Sequence, residues 1–413
     1  MTNDTASPYG TAAASASDPS SPRHRPRRAL ALGLSITLIA SAAVAGVAWR
    51  ANVTPPADDL QRIVDGLVDG GYPAALATRT DPDGTHHEVR AGAADLENDS
   101  PVPEDGEVRI GSASKTFTAV VVLQLVEEGL VELDTGIEQY LPGVVRGDGV
   151  DASAITIRQL LQHTSGLPEY ADLIAADAFA VRDTYRSPRS MLDVALQRPA
   201  SFPAGERHEY SNTGYIVLGL LIEAITTRPL FEQIEARIVE PLGLDHTYLP
   251  REGERTIRGD HPKGYHVDKS GDLRDISSSD PSWTWAAGAM VSTPSELNDF
   301  MRAVLDGTLL DEPTMKQMLT GIPTGEELLP GSEYGLGIES VELTCGTAWG
   351  HSGDIPGFQT RNAVAADGTA FTVTVTALPW AIFDGPEAEL LERYMIVIDT
   401  LDQALCNSDV PTP

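Results

Sequence analysis

Lysine is scarce in this chain: only Lys115, Lys263, Lys269 and Lys316 occur among 413 residues. Basic residues number 29 against 60 acids, a net charge of −31. The first 50 residues hold five arginines and two acids, which is +3 and leaves −34 for the remainder. So acidic a body argues against nucleic acid as a partner and against docking on anionic lipid head groups. Solubility is the ordinary use of such charge. Cysteine is nearly absent, with only Cys345 and Cys406. No repeat at a solenoid period is visible, which excludes repeat architectures. Long apolar runs are missing too, except the uncharged stretch from Ala29 to Trp49.

That stretch follows Arg23, Arg25, Arg27 and Arg28, and before them Met1 to Ser21 is mostly Ala, Ser, Thr, Asp and Pro. Such a tail cannot bury enough apolar surface to offset its ordering entropy. Twenty-one residues span roughly 31 Å as a helix, against a hydrocarbon core of about 30 Å. Arginines ahead of the span place the tail in the cytoplasm and the rest outside. A single-pass membrane anchor is therefore the first reading. A cleaved signal ending near Ala43-Val44-Ala45, and so a secreted protein, is the second. The expected organisation is a disordered tail over 1–28, the anchor or signal over 29–49, a linker over 50–59 and one catalytic domain over 60–408. Outside the cell two thiols suggest one disulfide, Cys345 to Cys406. It closes a loop of about 60 residues, worth roughly 4 kcal/mol in the chain-entropy model.

Within the domain, Leu60 to Val68 has helical periodicity, and Ala74 to Thr80 and His87 to Ala91 read as strands. Ser112 to Glu128 reads as a buried helix ended by Gly129. Helices and loops dominate to about residue 282, including Arg158 to Gln162 and Tyr215 to Thr226. Gly357 to Ala365 and Thr369 to Leu378 flank Asp367-Gly368, a hairpin signal. The alternation of Phe371, Val373 and Val375 with threonines predicts one buried and one partly wet sheet face. Glu387 to Leu405 closes the chain as an amphipathic helix. The fold class expected is α/β (α+β): an antiparallel sheet flanked by helices, plus a mostly helical lobe inserted over about 116–282.

Three short motifs carry chemistry. Ser112-Ala113-Ser114-Lys115 puts a hydroxyl and an amine on one helical face, since residues i and i+3 are neighbours there. Lys115 alone among the lysines has a serine three residues before it. The competing reading makes Ser112 an N-cap. Tyr210-Ser211-Asn212 precedes an apolar helix, and Trp349-Gly350-His351-Ser352-Gly353 enters a strand-like run. Ser-x-x-Lys, Tyr-x-Asn and His-Ser-Gly in this order resemble the signature of the penicillin-recognising serine hydrolases, whose sister form has Ser-Asp-Asn and Lys-Thr-Gly. The chain is most similar in these motifs to serine-type D-Ala-D-Ala carboxypeptidases and class C β-lactamases. The likeness extends through Arg109-Ile110-Gly111, His163-Thr164-Ser165-Gly166-Leu167 and Ala287-Gly288-Ala289.

The resemblance implies an acyl-enzyme mechanism, a β-lactamase/transpeptidase-like fold, and a disulfide tying the late strands to the last helix. Ser112 is the expected nucleophile, activated by Lys115 and Tyr210 as a coupled pair. A phenolate at pH 7 requires a shift of about 3 units from the free value, which a lysine cation and a helix N-terminus could supply. Asn212 is expected to hold the Lys115 head group and the substrate, or else to cap its helix. His351, Ser352 and Gly353 form the strand side of the cleft, with His351 in a supporting role. Backbone N–H groups of Ser112 and Asp354 form the oxyanion hole. Trp283 either walls the cleft or belongs to the core. No cofactor is implied, and His86-His87 lacks the companions of a metal site, so no metal is assigned.

One departure bears on substrate. The carboxypeptidases bind a terminal carboxylate through an arginine whose position aligns with Glu339 here. The neighbours after the third motif are Asp354 and Pro356, and Arg361 is the one cation nearby, able to substitute if it turns inward. The expected substrates are small D-amino-acid peptides, amides or β-lactams, with D-Ala-D-Ala carboxypeptidase activity at the envelope first. An esterase or D-aminopeptidase on the same scaffold is the alternative, and a penicillin-acylated sensor with little turnover is a third reading.

Overall fold

A computed structural model describes residues 57–174, 177–324 and 331–406. The tail and the Ala29 to Trp49 span lie outside the described residues. Among the described residues no single helix is long and apolar enough to cross a membrane.

The sheet is built from both ends of the domain. Its strands are β1 (Ala74–Thr80), β2 (His86–Asp95), β3 (Ser100–Pro101), β4 (Ile322–Pro323), β5 (Glu333–Tyr334), β6 (Glu339–Leu343), β7 (Gly346–Gly350), β8 (Gly353–Ile355), β9 (Phe358–Val364) and β10 (Ala370–Val375). Their order is β3-β2-β1-β10-β9-β7-β6-β5-β4, with β8 paired to β9. Every pairing is antiparallel. Strand β1 meets β10 in the register Leu76 to Thr374 and Ala77 to Val373, so the first and last strands lie at the centre.

Helices cover both faces, which corrects the expected wet face of β10. On one side α1 (Ala57–Asp69) and the closing helix α5 (Glu387–Cys406) bury Leu60, Val64 and Leu67 with Phe371, Val373 and Val375. On the other side α4 (Pro294–Leu305) packs on the sheet, and its Phe300 stacks on Phe117 of α2 (Ser114–Glu127). There Thr372, Thr374 and Thr376 are fully buried. Their hydroxyls survive burial because they are partnered: Thr372 donates to Asn298 Oδ1 at 2.7 Å, and Thr374 shares a 2.9 Å bond with Thr360. A buried hydroxyl without such a partner costs roughly 1–3 kcal/mol. Threonine thus satisfies strand propensity and a polar network together. A mostly helical lobe, centred on α3 (Asn212–Thr226), packs against α2.

The Cys345–Cys406 disulfide is formed and joins the β6–β7 hairpin tip to the end of α5. Asp402 on the same helix also accepts from Thr344 N–H at 2.6 Å and Thr344 Oγ1 at 3.0 Å.

Candidate active site

The nucleophile segment begins as a tight turn. Gly111–Ala113 is a single 3-10 turn leading into α2. Gly111 has φ 51°, and a Cβ there would fall 2.9 Å from the Asp354 nitrogen. Gly353, from the third motif, is packed tighter still: a Cβ would lie 1.9 Å from Ile110 O. Two glycines thus let the β8 backbone press against the turn that presents Ser112.

Helix α2 is buried around its circumference, so its polar residues must find backbone partners. Ser114 Oγ donates to Gly111 O at 2.6 Å, Thr116 to Gly337 O at 2.8 Å and Thr118 to Ala286 O at 2.8 Å. Ser112 makes no capping bond, so the N-cap reading does not hold. Its Oγ sits 3.0 Å from Lys115 Nζ.

Lys115 is fully buried, and its amine also donates to Asn212 Oδ1 at 2.8 Å and Ala287 O at 2.7 Å. Burial pushes it down to about 7, against the opposing pull of Glu169 and Glu339. A neutral amine here keeps two N–H bonds to fixed acceptors and turns its lone pair to Ser112. Asn212 therefore holds the lysine and does not cap α3. The N-terminus of α3 is served instead by Glu169, whose carboxylate accepts from Asn212 N–H at 2.5 Å and Ala171 N–H at 2.7 Å.

Tyr210 lies with its ring centroid 4.8 Å from Lys115 Nζ. Burial and the charge of Glu339 hold its phenol well above the usual range, while a hydrogen bond with Ser112 pulls the other way. Of the two bases that the motifs offered, burial shifts the Lys115 amine toward its neutral form and the Tyr210 phenol toward its protonated form.

On the strand side His351 is buried between Tyr334 Oη (2.8 Å to Nε2) and Ser352 O (2.6 Å from Nδ1). Burial lowers its titration below the ordinary histidine range, so it supplies no cation at neutral pH. Ser352 Oγ donates to Glu339 Oε2 at 2.8 Å, and its N–H reaches the same oxygen at 3.1 Å. Trp283 belongs to the main core and also borders a recess with Ile355 and Pro356, which none of Ser112, Lys115 and Tyr210 lines. The Asp354 carboxylate is engaged by two other side chains. It accepts from Arg361 Nη1 at 2.8 Å and Tyr394 Oη at 2.9 Å.

Arg361 is corrected accordingly. It shares a face of β9 with Ala363, toward α5, and its guanidinium stacks 4.5 Å from the Tyr394 ring centroid. Strand alternation aims it opposite to the side that carries Asn362. His86 and His87 bond to different carboxylates, Asp299 and Asp81.

The sequence reading missed Glu169, the Ala287 carbonyl and Tyr334 as neighbours of these groups. Two of the three lay in or beside stretches already noted, 163–167 and 287–289, but a stretch assigns no contact.

The Beta-lactamase family profile matches residues 60–391. Penicillin-binding protein 4 of Amycolatopsis lactamdurans is 34% identical over 186 residues, 44% of this chain and 46% of that protein. The chain spans about half the length of the curated relatives it matches. Among solved structures, a D-stereospecific amidohydrolase from Streptomyces sp. is 32% identical with a TM-score of 0.74, covering 86% of this chain and 100% of that one. D-amino acid amidase from Ochrobactrum anthropi SV3, complexed with L-phenylalanine amide, is 26% identical with a TM-score of 0.72, covering 84% and 98%. The matched span holds all three motifs together with the nucleophile turn and the sheet, and the chain belongs to the beta-lactamase family of penicillin-recognising serine hydrolases.

Proposed function

We propose that this chain is an amidohydrolase that is acylated at Ser112 by D-amino-acid amides or short peptides bearing a free amino group. One observation carries the reading: the charges acting on Lys115 are two carboxylates, Glu169 and Glu339, while the guanidinium of Arg361 is held by the Asp354 carboxylate. A terminal carboxylate within about 4 Å of Glu339 meets roughly 4 kcal/mol of repulsion at an effective dielectric near 20. That is about three orders of magnitude in binding. A substrate ammonium meets attraction of the same size. This favours the aminopeptidase or amidase alternative over a D-Ala-D-Ala carboxypeptidase. The preference for D-configuration rests on the likeness to the D-stereospecific amidohydrolase and the D-amino acid amidase.

In the proposed mechanism the neutral Lys115 amine takes the Ser112 proton as Oγ attacks the carbonyl carbon. Asn212 and Ala287 keep the resulting ammonium in place. Backbone N–H groups of Ser112 and Asp354 receive the oxyanion. Tyr210 gives its phenolic proton to the leaving nitrogen and regains one from Lys115, so the C–N bond breaks as an amine departs. Water, deprotonated by the same pair, then hydrolyses the ester at Ser112. We also propose that the N-terminal span places this chemistry outside the cytoplasm, supported by the arginines before it and by the disulfide.

The test compares D-phenylalanine amide, its L-enantiomer, its N-acetyl derivative, an acetylated D-Ala-D-Ala peptide and a chromogenic ester. Turnover of the free D-amide at least 100-fold above the acetylated and carboxylate-ended substrates is expected. Preference for the carboxylate-ended peptide, or turnover of the ester alone, would overturn the reading.

A further inference from the structure

His163 is buried and has a left-handed backbone, with φ 56°. That conformation is unfavourable for a residue with a Cβ, and persists where the surroundings over-determine it. Here they do. The His163 carbonyl accepts from Glu209 N–H at 2.9 Å, and its Nδ1 accepts from Ser211 N–H at 3.1 Å. Glu209 and Ser211 flank Tyr210, and the imidazole lies 4.2 Å from the Tyr210 ring, centroid to centroid. One residue thus grips the chain on both sides of the phenol and packs against the phenol itself.

The following residues extend the template. Leu167 O accepts from Ser211 Oγ at 3.2 Å, and Pro168 O accepts from Thr213 Oγ1 at 2.6 Å. An accepting Nδ1 requires a neutral ring with its proton on Nε2, and Nε2 has no hydrogen-bond partner among the described residues. Burial holds the ring well below the ordinary histidine range, so the acceptor persists at neutral pH.

We infer that His163 is a positioning residue for acylation: its accepting imidazole and left-handed backbone set the Tyr210 phenol against Ser112. The inference rests on the reading of Tyr210 as the proton partner of Lys115. A misplacement of about 1 Å can cost 10²-fold in rate.

The experiment labels the full-length protein with a fluorescent penicillin, in which the Ser112 oxygen bonds the lactam carbonyl carbon, the C–N bond opens and the nitrogen takes the Tyr210 proton. Rates are measured against probe concentration and normalised to folded protein by circular dichroism, for wild type, Tyr210→Phe, His163→Phe and His163→Asn. Asparagine tolerates the left-handed region and offers an amide oxygen to Ser211 N–H. Expected are about 100-fold slower labelling for His163→Phe at unchanged half-saturating concentration, and recovery to within about 10-fold for His163→Asn. Wild-type labelling by His163→Phe beside a slow Tyr210→Phe overturns the positioning role alone. Equal losses in both His163 variants also overturn it, since the acceptor would then be irrelevant. Wild-type labelling by Tyr210→Phe removes the underlying reading as well.

Discussion

Lys115 Nζ lies 3.0 Å from Ser112 Oγ, and its two other polar contacts, Asn212 Oδ1 and Ala287 O, are both acceptors. The amine can satisfy both of them without its third proton. This arrangement lets a lysine act as a base once burial has lowered its affinity for that proton.

The pH dependence follows from that shift. Burial pushes the Lys115 amine down to about 7, and the proposed mechanism uses its unprotonated form. Acylation is therefore expected to rise about tenfold per pH unit below 7 and to level off above it. Stopped-flow acylation from pH 5 to 9 checks this. Lys115→Arg, whose guanidinium cannot shed its proton, should lose 10²–10⁴-fold at every pH. A profile flat through pH 7 would exclude Lys115 as the base.

Glu339 is expected to set charge selectivity. Glu339→Gln keeps an acceptor for Ser352 Oγ but removes the charge. The ratio of kcat/KM for free-amine over carboxylate-ended substrates should fall by at least about 100-fold, and further in Glu339→Arg. An unchanged ratio in both variants would mean that this carboxylate does not face the substrate.

Gly353→Ala tests the close approach of β8 to the nucleophile turn. The added Cβ would fall 1.9 Å from Ile110 O, a backbone atom that cannot swing aside. Overpacking of this kind costs about 1–3 kcal/mol, and displacing the strand should lower acylation about 10²-fold. Urea unfolding and single-turnover rates measure the two effects separately.

Removing the disulfide should weaken the fold more than the chemistry. Cys345 and Cys406 are 61 residues apart, so the chain-entropy model assigns roughly 4 kcal/mol to the bridge. Cys345→Ser with Cys406→Ser should lower the denaturant midpoint while leaving acylation of the folded protein within about threefold, because the bridge lies at the hairpin tip. A wild-type midpoint would show that the Asp402–Thr344 bonds hold that corner alone.

Much of the fold was legible because its signals are local. Residues 74–80 read as a strand and fold as one, and Asp367-Gly368 marks the turn between β9 and β10. The Phe/Val/Thr alternation of β10 gave the strand but misjudged its second face. A threonine looks the same in sequence whether water or Asn298 satisfies its hydroxyl. The motifs likewise named Ser112, Lys115, Tyr210 and Asn212, since helical spacing and motif order are properties of the chain itself.

The primary structure by itself determined which groups are available: one serine a helical turn ahead of a rare lysine, a phenol, an amide, and an acid at Glu339. Only the tertiary structure decided their states and directions. It removed water from Lys115 and Tyr210, which moved one proton affinity down and the other up. It also turned Arg361 onto Asp354 and brought His163 against Tyr210. Desolvation, side-chain direction and through-space charge depend on distances between residues far apart in the chain, and local sequence pattern does not encode them.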